Sequence, residues 1–485
     1  MLPANMMEMM LTPRRQNRSG VDILSQKKFH MPTAYTILFL LLILVAAATW
    51  IIPAGSYDYV DGVPVAGTYH PVEQNPQGVG DVLKAAFSGF YDAVDVCIFI
   101  LMVGGFLGVV MKTGAVDAGV ANIIRLLGGR EKWLIPILML LFGLGGTTYG
   151  MWEETMAFYP LLIPVFLAAG YDAVVGISVI LLGAGAGVIA STVNPFATGI
   201  AAGFAGVSLG EGIVLRLLEW VAFEAAAIWF VMAYAAKVKK NPSKSVVGVG
   251  AGKIQVSMDQ QVPFTAKRKV IMALFTLTFL IMVYAVVPFD EMGLSLPALG
   301  WWFPELSALF LVAGVVIGLI DRMSEEELVE TYVAGCADLL GVAFIIGISR
   351  GITVLMNDGA ITDTVLHWGE QALSGAGAIS FTLLVFALYL PLTILIPSSS
   401  GLATLSIPIV APLGKFAGVG GDLVVTAFQS ASGLVNIITP TAAVVMGALA
   451  LGHVPYDRWV KYVWKLILWF LLLALAFLVA GVLLG

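Results

Sequence analysis

The sequence predicts an all-α polytopic membrane protein made of two inverted-topology repeats. Three observations carry that expectation. Of 485 residues, 59% are hydrophobic and only 12% are charged, against roughly 25% charged in soluble proteins. Too little polar surface is left to cover a water-exposed fold. Several apolar runs also reach the ~20 residues that cross a bilayer as helix. Finally, the second half repeats the first. Segment Val110-Met111-Lys112-Thr113-Gly114-Ala115 aligns with Leu355-Met356-Asn357-Asp358-Gly359-Ala360 at a shift of 245 residues. At the same shift of 245, Asn194-Pro195-Phe196-Ala197 aligns with Thr439-Pro440-Thr441-Ala442. Pro160 and Pro164 match Pro408 and Pro412 at a shift of 248. Such a repeat in an apolar chain marks secondary transporters, which bind a small-molecule substrate between two structural repeats.

Composition excludes other classes. Cys97 and Cys336 lie in apolar runs and read as small core residues. His30, His70, His367 and His453 have no metal-ligand spacing, which argues against haem and zinc. No nucleophile–base set, metal cluster or nucleotide loop supports an enzyme, and no cofactor or nucleic-acid partner is expected. Met1 to Phe29 is polar and basic without an apolar h-region, so it is not a signal peptide. Residues 1–30 read as a cytoplasmic tail.

Orientation follows the Lys/Arg bias. The tail holds Arg14, Arg15, Arg18, Lys27 and Lys28, so the N-terminus is expected in the cytoplasm. After a first span near 33–52, the loop with Asp58, Asp61, Glu73 and Asp81 belongs outside. A second span near 92–111 returns to Lys112, Arg125, Arg130 and Lys132. The first repeat is placed at 31–237. Residues 238–304 form a lysine-rich cytoplasmic linker and an unpaired outward helix, ending at the aromatic belt Trp301-Trp302-Phe303. The second repeat, 305–485, starts inside and leaves the C-terminus outside. The protein is expected in the bacterial inner membrane, as a multi-pass partner of the lipid bilayer.

Each repeat carries two interruptions. In 133–169 the glycine-rich middle, Gly143 to Gly150, is read as non-helical, because glycine costs roughly 1 kcal/mol per helical position. This segment is expected to be a re-entrant hairpin, as is 380–416. Broken helices are expected over 173–206, at Ser191 to Pro195, and over 424–451, at Asn436 to Pro440. Non-helical backbone at membrane depth is tolerated only inside protein or along a cavity. The four interruptions are therefore expected to converge on one site near the midplane. Helix N-termini there suit a carboxylate, and hydroxyls with exposed carbonyls suit Na⁺.

Glu153 and Glu154 carry the substrate clue. A carboxylate inside the bilayer costs at least ~2.5–3.5 kcal/mol and is usually functional. A cationic ligand, Na⁺ or a proton would compensate the pair. The alternative is that one Glu caps the second hairpin arm and the other pairs with Arg350. Their repeat counterparts, Gly401 and Leu402, are uncharged. Asp92 and Asp95, three apart on one helical face, line the pathway or pair with Arg350. Asp338 is a further charge within the membrane. Glu219 and Glu224 are read as lying near a helix end, at the interface. Amphipathic segments 116–127 and 361–373 read as interfacial helices.

Four stretches carry a resemblance. Gly145-Gly-Thr-Thr-Tyr-Gly-Met-Trp-Glu-Glu-Thr-Met-Ala-Phe158, Ala190-Ser-Thr-Val-Asn-Pro-Phe196, Pro397-Ser-Ser-Ser-Gly401 and Ser430-Ala-Ser-Gly-Leu-Val-Asn436 resemble the YfcC family, in the DcuC-type branch of the ion transporter superfamily. The resemblance covers nearly everything after Met31, and is strongest to the branch of arginine/ornithine antiporters. It implies a scaffold domain, a mobile transport domain with two hairpins, an elevator motion and a homodimer. Trp152 departs from the family, which is expected to have glycine before the Glu pair. A large side chain there would narrow or gate the site.

The function read from all this is antiport of a basic amino acid, arginine for ornithine. Thr147, Thr148, Ser191, Thr192, Asn194, Ser398, Ser399, Ser400, Gly401, Asn436, Thr439 and Thr441 would hold the α-carboxylate and α-amino groups. Glu153 and Glu154 would hold the cationic end or a coupling ion, so Glu154→Gln is expected to abolish basic amino acid binding. A coupling Na⁺ is placed near Ser191, Asn194, Asn436 and Thr439, with H⁺ as the other coupling ion. The competing reading keeps the fold but takes up a C4-dicarboxylate or other small carboxylate with Na⁺ or H⁺.

Overall fold

A computed structural model of the chain describes residues 34–116, 118–119, 122, 130–208, 210–248, 263–286, 296–301 and 303–484. The N-terminal tail, most of the interfacial segment 116–127, Trp302 and much of the lysine-rich linker lie outside the described residues.

The described residues are helical almost throughout. Helices α1 (Ala34–Ala48), α2 (Val79–Asp92) and α3 (Val94–Lys112) come first. Helices α4 (Leu134–Tyr149) and α5 (Tyr159–Ala168) flank a 3₁₀ segment, Glu153–Phe158. Then come α6 (Ala173–Ile189), α7 (Ile200–Ala205) and α8 (Ile213–Lys240). They are followed by α9 (Ala266–Val286), α10 (Phe303–Asp321), α11 (Glu325–Asp358) and α12 (Thr362–Leu373). The last are α13 (Ala378–Leu395), α14 (Ser399–Ala417), α15 (Gly421–Asn436), α16 (Ala443–Leu451) and α17 (Tyr456–Leu484). Six of these (α3, α10, α11, α13, α14 and α17) are long and apolar enough to cross a membrane. Large apolar side chains such as Leu44, Leu218, Val312 and Leu472 stand exposed on the outer helices, where only a hydrocarbon solvent leaves them at no cost.

Caps fix several helix starts. Asp172 accepts from the Val175 amide at 3.0 Å, opening α6, and Ser324 accepts from Glu327 at 3.2 Å, opening α11. Glu325, Glu326 and Glu327 then occupy the first turn of α11, where negative charge complements the helix dipole.

The glycine-rich run from Gly143 is helical, contrary to the sequence expectation. Helix α4 continues through Tyr149 and ends at Gly150, whose φ is +78°. Packing supplies what propensity withholds. A Cβ on Gly183 of α6 would lie 2.9 Å from the Met139 carbonyl of α4. The bare glycine faces let the two backbones touch. Other boundaries also shift. The span read as beginning at Asp92 is α3, starting at Val94, and a further helix, α2, precedes it across a bend at Ala93. The second break falls after Asn436, because α15 runs through that residue and α16 begins at Ala443.

Two groups of helices result. In the first, α2 and α3 lie along the whole length of α11, with α1, α9 and α10 beside them. Gly104 and Gly335 set that crossing: a Cβ on Gly104 would sit 2.5 Å from the Gly335 carbonyl. Phe106 stacks on Phe275 of α9 at 5.6 Å. In the second group, α4 packs on α6, α6 on α8 and α15, α13 on α15, and α17 on α8 and α15.

The segment between α1 and α2 folds into two short ribbons. Strand β1 (Gly55–Ser56) pairs antiparallel with β4 (His70–Pro71), and β2 (Tyr59–Val60) with β3 (Val63–Pro64). It is clamped to α12. The Tyr59 hydroxyl donates to Asp363 at 2.7 Å and that of Tyr57 to Glu370 at 2.8 Å. Tyr69 stacks on His367 at 4.0 Å. Burial first, and then the hydrogen bonds to these carboxylates, hold both phenols above their ordinary range, so they remain donors.

Candidate functional site

One cavity lies where the two helix groups meet. The first group contributes Ala93 and Val96 at the α2–α3 bend, Phe303 of α10, and Ile346, Ser349 and Arg350 of α11. From the second group come three stretches of interrupted helix. These are Gly150, Trp152, Glu153 and Glu154; Pro397, Ser398, Ser399 and Ser400; and Asn436 with Thr441 to Val444. Val188, Asn194 and Ala197, around the first helix break, complete the wall.

Of the sequence-predicted residues, Glu153, Glu154, Asn194, Ser398, Ser399, Ser400, Asn436 and Thr441 therefore meet at one cavity. The rest stand behind it or turn away. Thr147 is buried and ties the end of α4 to the first break. Its hydroxyl donates to Ala190 at 2.8 Å, and its carbonyl accepts from the Thr192 amide at 2.9 Å. Thr192 is held by the same contacts, its hydroxyl donating to the Thr147 carbonyl at 2.9 Å. Ser191 accepts from Thr198 at 2.8 Å. Thr439 shares a 2.9 Å bond with Thr441. Thr148 donates back to Leu144 within its own helix at 2.6 Å. Gly401 gives its amide to Ser398 at 3.2 Å, as part of the α14 cap. The residues expected around Na⁺ are thus divided, with Asn194 and Asn436 at the wall and Ser191 and Thr439 buried behind it. Among the described residues, no group of three or more His, Cys, Asp or Glu side chains is placed to hold a metal ion.

The two glutamates differ. Glu154 is 7% exposed, and its Oε2 accepts the Trp152 amide at 3.1 Å. One of its oxygens therefore braces the turn ahead of the 3₁₀ segment. Glu153 is half-buried at the wall. Arg350 reaches Asp92, at 3.7 Å, rather than either glutamate. With the Asp92 side chain 52% exposed, that pair is weak, and the guanidinium stays available to the cavity. Ser349 donates to the Thr441 carbonyl at 2.6 Å, joining α11 to the second break. The sequence offered one signal for it, a hydroxyl next to an intramembrane arginine. Ala93, Val96 and Phe303 had none, being apolar residues among many.

Two helices begin at the wall. Helix α14 opens at Ser399 and α16 at Ala443. Their first amides and positive dipole ends face the same space as Arg350, an arrangement that receives a carboxylate.

Gly150 holds the first turn open. Its φ of +78° disfavours any side chain, and a Cβ there would lie 2.5 Å from the Asn194 amide nitrogen. Gly150→Ala is expected to cost about 1–3 kcal/mol and to push Asn194 from the wall. A fall in melting temperature together with at least a several-fold rise in KM for transport checks this. An unchanged KM would free Asn194 from the site. Trp152, 8% exposed, lies against α6: its ring edge is 3.6 Å from where a Cβ on Gly185 would stand.

Comparisons with known proteins identify the family. Residues 31–483 match the family model described as DcuC, C4-dicarboxylate anaerobic carrier. A Haemophilus influenzae protein of uncharacterised function is 35% identical over 94% of this chain and 98% of its own length. The Escherichia coli K12 protein YfcC, whose name assigns it basic amino acid antiport provisionally, is 30% identical over 90% of this chain and 93% of its own. A solved structure of the Alcanivorax borkumensis YdaH transporter aligns with 91% of this chain and 98% of that chain, at 16% identity and a TM-score of 0.42. The chain is a multi-pass membrane transporter of the DcuC family and belongs, with its Escherichia coli relative, to the YfcC family.

Proposed function

We propose that the protein exchanges basic amino acids, arginine for ornithine, across the bacterial inner membrane by an elevator motion. One observation carries the substrate class: the ionisable groups lining the cavity are two carboxylates, Glu153 and Glu154, and one guanidinium, Arg350. A dicarboxylate would bring two negative charges to a wall already net negative. A basic amino acid matches it at both ends. Its α-carboxylate would lie between Arg350 and the starts of α14 and α16. Its cationic end would lie at Glu153, with Glu154 holding the turn that presents it. Ser398, Ser399, Ser400, Asn194, Asn436 and Thr441 supply the neutral hydrogen bonds. The name of the Escherichia coli relative, which refers to basic amino acid antiport, supports the same class.

The element order supports the repeat and the motion. Helices α2–α3, α4, α5, α6, α7 and α8 recur in order and spacing as α11, α13, α14, α15, α16 and α17. The first helix group would be the scaffold, and the second, with its two re-entrant hairpins, the moving transport domain. The cavity lies at their junction, where sliding one against the other exposes it to alternate sides. The clamp between the β1–β4 segment and α12 fits a fixed outer frame. The N-terminus is proposed inside, the C-terminus outside, and the assembly a homodimer.

The test is exchange in proteoliposomes loaded with arginine, ornithine or succinate and challenged with each labelled compound, with and without a Na⁺ gradient. Arginine uptake accelerated by internal arginine or ornithine is the expected result. Succinate uptake driven by Na⁺ would replace the substrate.

A further inference from the structure

A second set of polar groups is buried beside the cavity, on α8. Arg216, Glu219 and Glu224 are 1%, 0% and 2% exposed, so these carboxylates do not lie at the interface as the sequence suggested. They flank the apolar face of α8 that carries Phe223 and Ala227, Glu219 turned to α15 and Glu224 to α4. Glu219 accepts from Ser430 at 2.8 Å, and its second oxygen has no partner in the protein. Neither oxygen of Glu224 has one. The Glu224 carboxyl lies over Gly143, where a Cβ would stand 2.5 Å from Oε2.

On its own helix the charges nearest Glu224 are Glu219 and Arg216, five and eight residues back, and the packed elements add few. Helices α4 and α6 carry no Asp, Glu, Lys or Arg. Helix α17 brings Phe470 against Phe223 at 4.7 Å, while its Lys461 and Lys465 are exposed and its Asp457 and Arg458 stand nearer its start. Helix α15 brings Asp422, which acts on Arg216. The lysines of α8 begin at Lys237, 13 residues on, or about 20 Å away. An ionised carboxylate without donors in such a niche is costly, and a proton removes that charge. A hard metal cation takes six or more oxygens, whereas this niche offers the two of one side chain. The niche also borders the substrate wall. A Cβ on Gly187 would lie 2.2 Å from the carbonyl of Gly143, the residue under Glu224, and the next residue, Val188, lines the cavity. Gly150 is seven residues along α4 from Gly143, about 10 Å.

We propose that Glu224 is a proton-binding site of the transport domain. Its carboxylate takes a proton from water on one side of the membrane and returns it to water on the other. This deepens the transport reading and rests on it: substrate-for-substrate exchange would need no net proton movement, whereas net uptake into empty vesicles would.

Two measurements test it. In proteoliposomes, a gradient of two pH units supports up to about 100-fold accumulation at one proton per substrate. The wild-type protein is expected to respond to that gradient. Glu224→Gln is expected to lose the response while keeping arginine-for-arginine exchange. Glu224→Asp, which keeps the acid, is expected to retain both, and serves if the Gln variant fails to fold. A Gln variant that accumulates like wild type, or a wild type that exchanges but ignores the gradient, overturns the proposal. Independently of any substrate, the acid-minus-alkaline infrared difference spectrum of the purified protein should show a carboxylic-acid C=O band that Glu224→Gln removes. Absence of a Glu224-dependent band overturns the proton site, whereas absence of amino acid exchange with that band present overturns only the substrate.

Discussion

Glu153→Gln is expected to weaken arginine binding by about 100- to 1,000-fold, the equivalent of roughly 3–4 kcal/mol. Glu153 stands at the cavity wall, whereas Glu154 gives an oxygen to the Trp152 amide at 3.1 Å. The isosteric change removes the negative charge opposite the guanidinium and leaves the turn in place. Glu154→Gln acts differently. Its amide oxygen still accepts from Trp152, so the variant should fold, and its loss of binding should be smaller than that of Glu153→Gln. Binding of arginine and ornithine to both variants, with melting temperature as a fold control, separates the two roles. Equal losses would return both carboxylates to the substrate, as the sequence alone suggested.

Arg350→Met is expected to be nearly as severe, with about a 30- to 300-fold loss of affinity for any substrate bearing an α-carboxylate, since charge-assisted bonds are worth roughly 1.5–3 kcal/mol and their loss leaves the partner unpaired. The comparison is Asp92→Asn. If Arg350 served mainly to pair with Asp92, at 3.7 Å, the two variants would behave alike. A solvent-screened pair contributes about 0–1 kcal/mol, so Asp92→Asn should change affinity by only a few fold. An agmatine titration refines the point: lacking the carboxylate, agmatine should bind wild type and Arg350→Met with similar affinity.

Much of this architecture is legible in the amino-acid sequence. Proline and small polar residues locate the interruptions, because helix rules are local: Pro195 and Pro440 remove donors, and Ser398 caps α14. Eight of the predicted site residues line one cavity for the same reason. The features that sequence hides are set by packing between distant segments. Gly143 and Gly146 read as helix breakers, yet they let α4 touch α6 backbone to backbone: a Cβ on Gly146 would lie 2.3 Å from the Ala184 carbonyl, and one on Gly187 2.2 Å from the Gly143 carbonyl. Thr147 and Thr192 look like ligands, but they bond each other across 45 residues. The burial of Glu219 and Glu224 depends on α4, α15 and α17 closing over α8, and no feature of the α8 sequence reports that. Ser349 and Arg350 reach the site only because α11 faces the opposite helix group.

The most direct measurement is calorimetric titration of the purified protein with arginine, ornithine and succinate, for wild type and Glu153→Gln. Saturable binding of arginine and ornithine to wild type, lost in Glu153→Gln, with no heat from succinate, is the predicted result. Succinate binding that arginine does not displace, or arginine binding indifferent to Glu153, would contradict a basic amino acid site in this cavity.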